Sequence, residues 1–254
     1  MASRFLTPLL LAPLLLASCG TAPNEPAANP PPTPAQQATR LARLKLDYGA
    51  PVAIDSTAYV MYPLVLGVAE EKQGIESGSY SRGASTYWNV AFYNTRTGAH
   101  HLLNDRRKMV IHNFSGQNDA ADAPSGGAAS GARRRSLVNG FLYFDVTTQD
   151  FNRDGKLDGD DPRCLFISDK TGRRFQQISP PNAHVASWQL VGATGKVLML
   201  VGTDTNHDRA FTDRDETTPL VYDLRAGTGP GEVFGKVFTT QARQQLDAQW
   251  PTQP

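Results

Sequence analysis

Asp150-Phe-Asn152-Arg-Asp154-Gly155-Lys156-Leu-Asp158-Gly-Asp160-Asp161 places side-chain oxygens at positions 1, 3, 5, 9 and 12 of a twelve-residue stretch, with glycine at position 6. In a tight loop alternate residues point inward, so short carboxylates and an amide at positions 1, 3 and 5 converge on one hard cation. Position 6 must turn sharply, and a glycine there takes the left-handed conformation without a Cβ clash. Position 7 offers only its main-chain carbonyl, which lets the Lys156 side chain point away. Without a cation, five aspartates in twelve residues repel one another, and Arg153 and Lys156 offset them only in part. Asp161 at position 12 is shorter than the glutamate usual there, which implies monodentate or water-bridged coordination and weaker binding. The plainer alternative is an Asx-rich surface turn.

A second copy starts 54 residues later, at Asp204-Thr-Asn206-His-Asp208-Arg209-Ala210-Phe-Thr212-Asp213-Arg-Asp215. It keeps the Asp, Asn, Asp opening and the oxygens at positions 9 and 12, but Arg209 stands where glycine is expected, which strains the turn. Both loops resemble the EF-hand calcium loop. The resemblance implies Ca2+ held by Asp150, Asn152, Asp154, Lys156, Asp158 and Asp161, with Lys156 contributing its carbonyl. In the second loop it implies Asp204, Asn206, Asp208, Ala210, Thr212 and Asp215, with Ala210 in the carbonyl role. The interval turns two motifs into one repeat.

Working outward, the flanking segments read as strands: short apolar or alternating runs bounded by Gly, Pro, Asn and Asp. The clearest are 59–66, 88–93, 140–146, 164–167, 196–201 and 219–222, while Thr239 to Gln249 could be a helix or a strand. A strand–turn–strand phrase recurs around Gly98, Gly172 and Gly227, at intervals of 74 and 55 residues. The longer interval contains Gln117 to Arg135, a Gly/Ala/Ser-rich stretch that reads as a flexible insertion and whose removal restores the period. Each unit then runs as apolar strand, long loop, strand, tight turn, strand and a fourth strand, with the calcium-type loops filling the long loop of units two and three. In unit one that place is Ala69 to Ser85, acidic but without ligand spacing.

Four strands per unit at a fixed period predict an all-β fold of β-propeller-like repeats, with an open β-sandwich as the alternative. The hairpin phrase resembles the WD-like repeats of TolB-type propellers. The cation loop between a unit's first two strands resembles the FG-GAP blades of integrin α subunits, matched by Asp150, Asn152, Asp154, Gly155 and Asp158. Three units are legible, and a closed ring needs about four. Leu41 to Val65 together with the C-terminal segment are the candidates for a further unit. Dockerin modules also duplicate such loops, but they follow each with a helix, whereas Phe166, Ile167, Val221 and Tyr222 read as strand residues.

At the N-terminus, Arg4 precedes an uncharged Leu-rich run from Phe5 to Ala17, too short to span a bilayer as a permanent helix. It ends Leu16-Ala17-Ser18-Cys19, which resembles the lipobox of bacterial lipoproteins. That implies a signal peptide over 1–18, lipidation of Cys19 and anchoring of the chain to a membrane of the bacterial cell envelope. Residues 19–37 follow as a lipidated cysteine and Pro-rich tether that favours extended conformations, and 38–254 are expected as the all-β repeat domain.

With Cys19 lipidated, Cys164 has no intramolecular partner, and its place at the head of an apolar run predicts a buried, inert thiol. Net charge is +1 and no basic stripe is present, which argues against nucleic acid as a partner. Catalytic patterns are thin: Gly78-Ser-Tyr-Ser81-Arg-Gly83 lacks the spacing and setting of a nucleophile elbow. The five histidines form no zinc motif, and Trp88, Tyr93, Trp188 and Tyr222 read as core or sheet-face aromatics. The leading expectation is a calcium-binding, membrane-anchored scaffold or binding module with an unidentified protein or glycan ligand. The alternatives are an envelope enzyme with acidic catalytic residues, such as a glycoside hydrolase or lyase, and a structural assembly subunit.

Overall fold

A computed structural model describes residues 33–68, 85–115 and 140–250. The expected signal segment with Cys19, residues 69–84 (which hold Gly78 to Gly83) and the expected insertion 117–135 lie outside the described residues.

Among the described residues, alternating and β-branched runs become twelve strands: β1 (Val52–Ala53), β2 (Tyr59–Val68), β3 (Ser85–Asn94), β4 (His100–Leu102), β5 (Val110–Phe114), β6 (Phe141–Thr147), β7 (Cys164–Asp169), β8 (Gln176–Gln177), β9 (His184–Val191), β10 (Lys196–Thr203), β11 (Glu216–Asp223) and β12 (Gly231–Glu232). Every pairing is antiparallel. One sheet has eight strands and the other four, so the all-β expectation holds. The larger sheet divides naturally. β1–β2–β3–β4 and β5–β6–β7–β8 are consecutive antiparallel meanders joined through the single pair Tyr87↔Ile111, and β9–β10–β11–β12 is a third meander of the same form.

This corrects the expected unit in one respect. The fourth strand does not close each unit but opens it, as β1, β5 and β9. The segment from Leu41 to Val65 therefore supplies β1 and β2 of the first meander rather than part of a further one. The C-terminal segment is helical: α2 spans Lys236–Gln249. Among the described residues there is no fourth meander and no closed ring.

The three hairpin turns share one construction. Gly98, Gly172 and Gly227 have φ of 74°, 75° and 63°, and a side-chain oxygen just before each turn accepts main-chain N–H groups within it. Asn94 accepts from Arg96 and Thr97, Asp169 from Thr171 and Arg173, and Asp223 from Arg225 and Ala226. These are Asx turns, in which the side chain stands in for the missing ladder bonds.

The middle meander is buried on both faces. Successive strand residues point to opposite sides, and in β6 Leu142, Phe144 and Val146 enter one core with Met61, Val90 and Phe92 of the first meander. Their neighbour Tyr143, with Leu165 and Ile167 of β7, enters a second core with Val197, Met199 and Val201 of β10. Cys164 is buried, as expected, with its thiol pushed up in pKa chiefly by desolvation.

By contacts, the described residues divide after Lys45. The end of the expected extended tether is instead helical: α1 spans Pro34–Arg43. Thr33 caps it in a reciprocal capping box with Gln36, with the Thr33 N–H donating to Gln36 Oε1 at 2.9 Å, and Pro34 takes the first turn, where its missing N–H costs nothing. No described helix is long and apolar enough to cross a membrane.

Candidate metal-binding loops

The loops 150–161 and 204–215 join β6 to β7 and β10 to β11, the same step in successive meanders. Their main chains are tied in the same way. In both, the position-6 N–H donates to the position-1 carboxylate: Gly155 to Asp150 at 3.0 Å and Arg209 to Asp204 at 3.1 Å. Position 5 donates to position 3, as Asp154 to Asn152 at 3.0 Å and Asp208 to Asn206 at 2.9 Å. Position 7 donates to position 5, as Lys156 to Asp154 at 2.8 Å and Ala210 to Asp208 at 2.9 Å.

Position 12 fastens each loop shut. Asp161 accepts from Phe151 at 2.7 Å, Asn152 at 3.4 Å and Asp158 at 3.2 Å, and has only 1% of its surface exposed. Asp215 accepts from Thr205 at 3.0 Å and Thr212 at 2.9 Å. The Thr212 N–H, helped by Thr205, holds the Asp215 carboxyl below the usual carboxylate range. Position 12 thus clips the loop's two ends together, through the position-2 N–H in each copy.

Backbone conformation repeats too. Positions 4 and 6 are left-handed in both loops, with φ of 64° at Arg153, 85° at Gly155, 62° at His207 and 64° at Arg209. Arg209 therefore adopts the conformation that favours glycine, as the strained turn required. Such a residue costs about 1–2 kcal/mol over glycine, which the loop's hydrogen bonds outweigh.

The fold also brings the two loops side by side. Phe151, at position 2 of the first, meets Phe211, at position 8 of the second, with ring centroids 5.2 Å apart. His184 stacks on Phe211 at 5.6 Å, and its Nδ1 accepts the Arg163 N–H at 3.3 Å. Near these lies His112, whose Nε2 is 2.9 Å from Thr147 Oγ1. Burial, reinforced by the Arg163 charge, depresses both imidazoles, His112 to about 4. Sequence reading missed this apolar joint, although a phenylalanine inside each otherwise polar loop was its signal.

Among the described residues no three His, Cys, Asp or Glu side chains are grouped closely enough to hold a metal ion by themselves. An EF-hand-type set draws also on an Asn amide and a main-chain carbonyl, here Asn152 with Lys156 and Asn206 with Ala210. The carboxylates are turned to amide donors, but each carboxylate oxygen has a second lone pair, so an amide bond does not exclude a cation. One atom goes further. Asp204 is 9% exposed, and its Oδ1 is buried without a hydrogen-bond partner. A buried carboxylate oxygen left unpaired is costly, and a cation at position 1 would satisfy it.

Two of the aromatics expected in the core or on a sheet face are packed there. Tyr222 is buried, and Trp188 stacks on Tyr143 at 5.0 Å while its Nε1–H donates to Asp145 at 2.9 Å. His101 stacks on Phe92 with centroids 5.5 Å apart. No protein-family model matches this chain, and a search of curated proteins finds no match either.

Proposed function

We propose that this chain is a calcium-binding lipoprotein of the bacterial cell envelope, anchored through Cys19, whose blade-like meanders form a propeller-type binding or scaffold module. The observation that carries the calcium reading is the five-bond scaffold shared by two loops 54 residues apart, together with the unpartnered Asp204 Oδ1. Local Asx chemistry accounts for the bonds two residues ahead, but not for the position-6 bond to position 1 or the closure by position 12 that both loops also repeat. The cation would be held by Asp150, Asn152, Asp154, the Lys156 carbonyl and Asp158 in the first loop. In the second it would be held by Asp204, Asn206, Asp208, the Ala210 carbonyl and Thr212. Asp161 and Asp215 close the two loops and present their remaining lone pairs.

The propeller reading rests on three meanders of one construction, each packed on the next through a core. The module's ligand, a protein or a glycan, would meet the loop-bearing end or the exposed sheet faces, and the near-neutral charge disfavours nucleic acid. Titration calorimetry of calcium-free protein tests the metal. Loops of this type outside the cytosol bind at about 10⁻⁴–10⁻³ M, so heat and a rise in melting temperature are expected by millimolar calcium. No heat and no shift at that concentration would reduce both loops to Asx turns. For the anchor, Cys19→Ala is expected to leave an unprocessed or soluble chain; persistence in membranes after a high-salt wash would overturn it.

A further inference from the structure

Among the described residues, the first and third meanders each leave one sheet face uncovered, and the two faces differ. On the first meander, Met61 and Phe92 point into the core, and their neighbours point away. Val60 pairs with Tyr93, and Tyr62 with Ala91, which in turn pairs with Leu102. Tyr93 and Leu102 are 38% and 40% exposed. On the third meander, Val197, Met199 and Val201 enter the core, while Leu198 pairs with Val221 and Leu200 with Pro219 on the other side. Leu198 and Leu200 are 38% and 39% exposed.

The repeat says what belongs on these faces. In β6, Leu142, Phe144 and Val146 meet the preceding meander and Tyr143 the following one. In β10, Val197, Met199 and Val201 take the first role, so Leu198 and Leu200 stand where a following meander would pack. In β3, Val90 and Phe92 meet the following meander, so Ala91 and Tyr93 stand where a preceding one would pack. The uncovered faces are thus the two halves of an interface that the chain already forms twice within itself.

We infer that a second copy of this chain covers both faces, the first meander of each protomer packing on the third meander of its partner. One chain carries both halves, so the contact is head-to-tail, and it ends in a ring if the rotation closes. Known propeller rings hold about 4–8 blades. Two copies of three blades make six, and three copies exceed the range. Apolar surface continues beyond β12, where Phe234 and Phe238 stack at 4.6 Å and α2 buries no residue. This inference rests on the blade reading above but not on calcium, and its test leaves both loops intact.

Light scattering on the chain as it is anchored in the membrane, purified in mild detergent with EDTA and corrected for bound detergent, should give twice the protein mass of one protomer. Leu198→Arg and Tyr93→Arg, each on a different end face, should each yield monomer with an unchanged far-ultraviolet spectrum. A head-to-tail contact also predicts cross-linking pattern: Leu198→Cys and Tyr93→Cys, joined by a short bis-maleimide, should link when mixed and not when alone. A monomeric wild type overturns the inference, as does a dimer lost in only one arginine variant or a Leu198→Cys chain that links to itself. In each of those cases calorimetric calcium binding would still stand or fall separately.

Discussion

Replacing each of the three turn glycines by alanine separates backbone strain from packing. Gly98, Gly172 and Gly227 have nearly the same positive φ, so each pays the same left-handed penalty on gaining a Cβ, about 1–2 kcal/mol. Their surroundings differ. A Cβ at Gly98 or Gly227 meets no atom within 4 Å, whereas at Gly172 it falls well inside the van der Waals envelope of the Phe92 ring. Phe92 is 0% exposed and held from its own side by His101, so the ring has little freedom to retreat. Overpacking of this kind adds about 1–3 kcal/mol. Gly98→Ala and Gly227→Ala should therefore cost about 1–2 kcal/mol, and Gly172→Ala about 2–5 kcal/mol. Urea denaturation at constant m-value reads the difference directly. Phe92→Leu shortens the ring, so in combination with Gly172→Ala the loss should fall short of the sum of the single losses. Equal costs at all three glycines, or strict additivity with Phe92→Leu, would show that the second hairpin does not bear on the first meander as described.

The clip and the ligands in the first loop should separate by their dependence on metal. Asp161→Ala removes a buried acceptor of three main-chain N–H groups and should lower the melting temperature in EDTA as well as in calcium; Asp154→Ala, which frees only the Lys156 N–H, should cost more in calcium than in EDTA, by about 1.4 kcal/mol at tenfold excess over the dissociation constant. Asp208→Ala should remove less of the calcium effect than Asp154→Ala, because Arg209 carries strain that Gly155 does not. Acid should weaken the fold through His112. Its folded pKa of about 4 lies below the ordinary 6.5, so the unfolded chain takes up the proton first, and the His112 contribution to stability should fall from pH 6.5 to about 4 and level off below. The loss is at most about 3 kcal/mol, and in EDTA His112→Gln should flatten that part of the profile; an unchanged slope would assign it elsewhere. Deleting 117–135 and bridging with a short Gly/Ser turn should leave the melting temperature within a few degrees, since halving a loop changes closure by only about 0.6 kcal/mol.

Local chemistry made much of this protein legible before folding was considered. The Asp-x-Asn-x-Asp opening specifies its own turn, because each short side chain captures an N–H two residues ahead, and the structure forms those bonds in both copies. The hairpin glycines and the burial of Cys164 follow likewise from residues adjacent in the chain. What lay beyond such reading depends on residues far apart. β1, β5 and β9 are short or weakly apolar, and only their registry with β2, β6 and β10 decides that they open each meander. Thr239 to Gln249 carried both helical and strand character, and in the fold it is a helix with no buried residue. That Asp161 also closes its loop as a buried acceptor was not legible, because its N–H partners converge only once β6 and β7 pair. The Phe151–Phe211 joint and the pressure of Phe92 on Gly172 arise where one meander meets the next. Periodicity along the chain determines which residues face inward; which meander they face is decided only by the packing of one sheet on another.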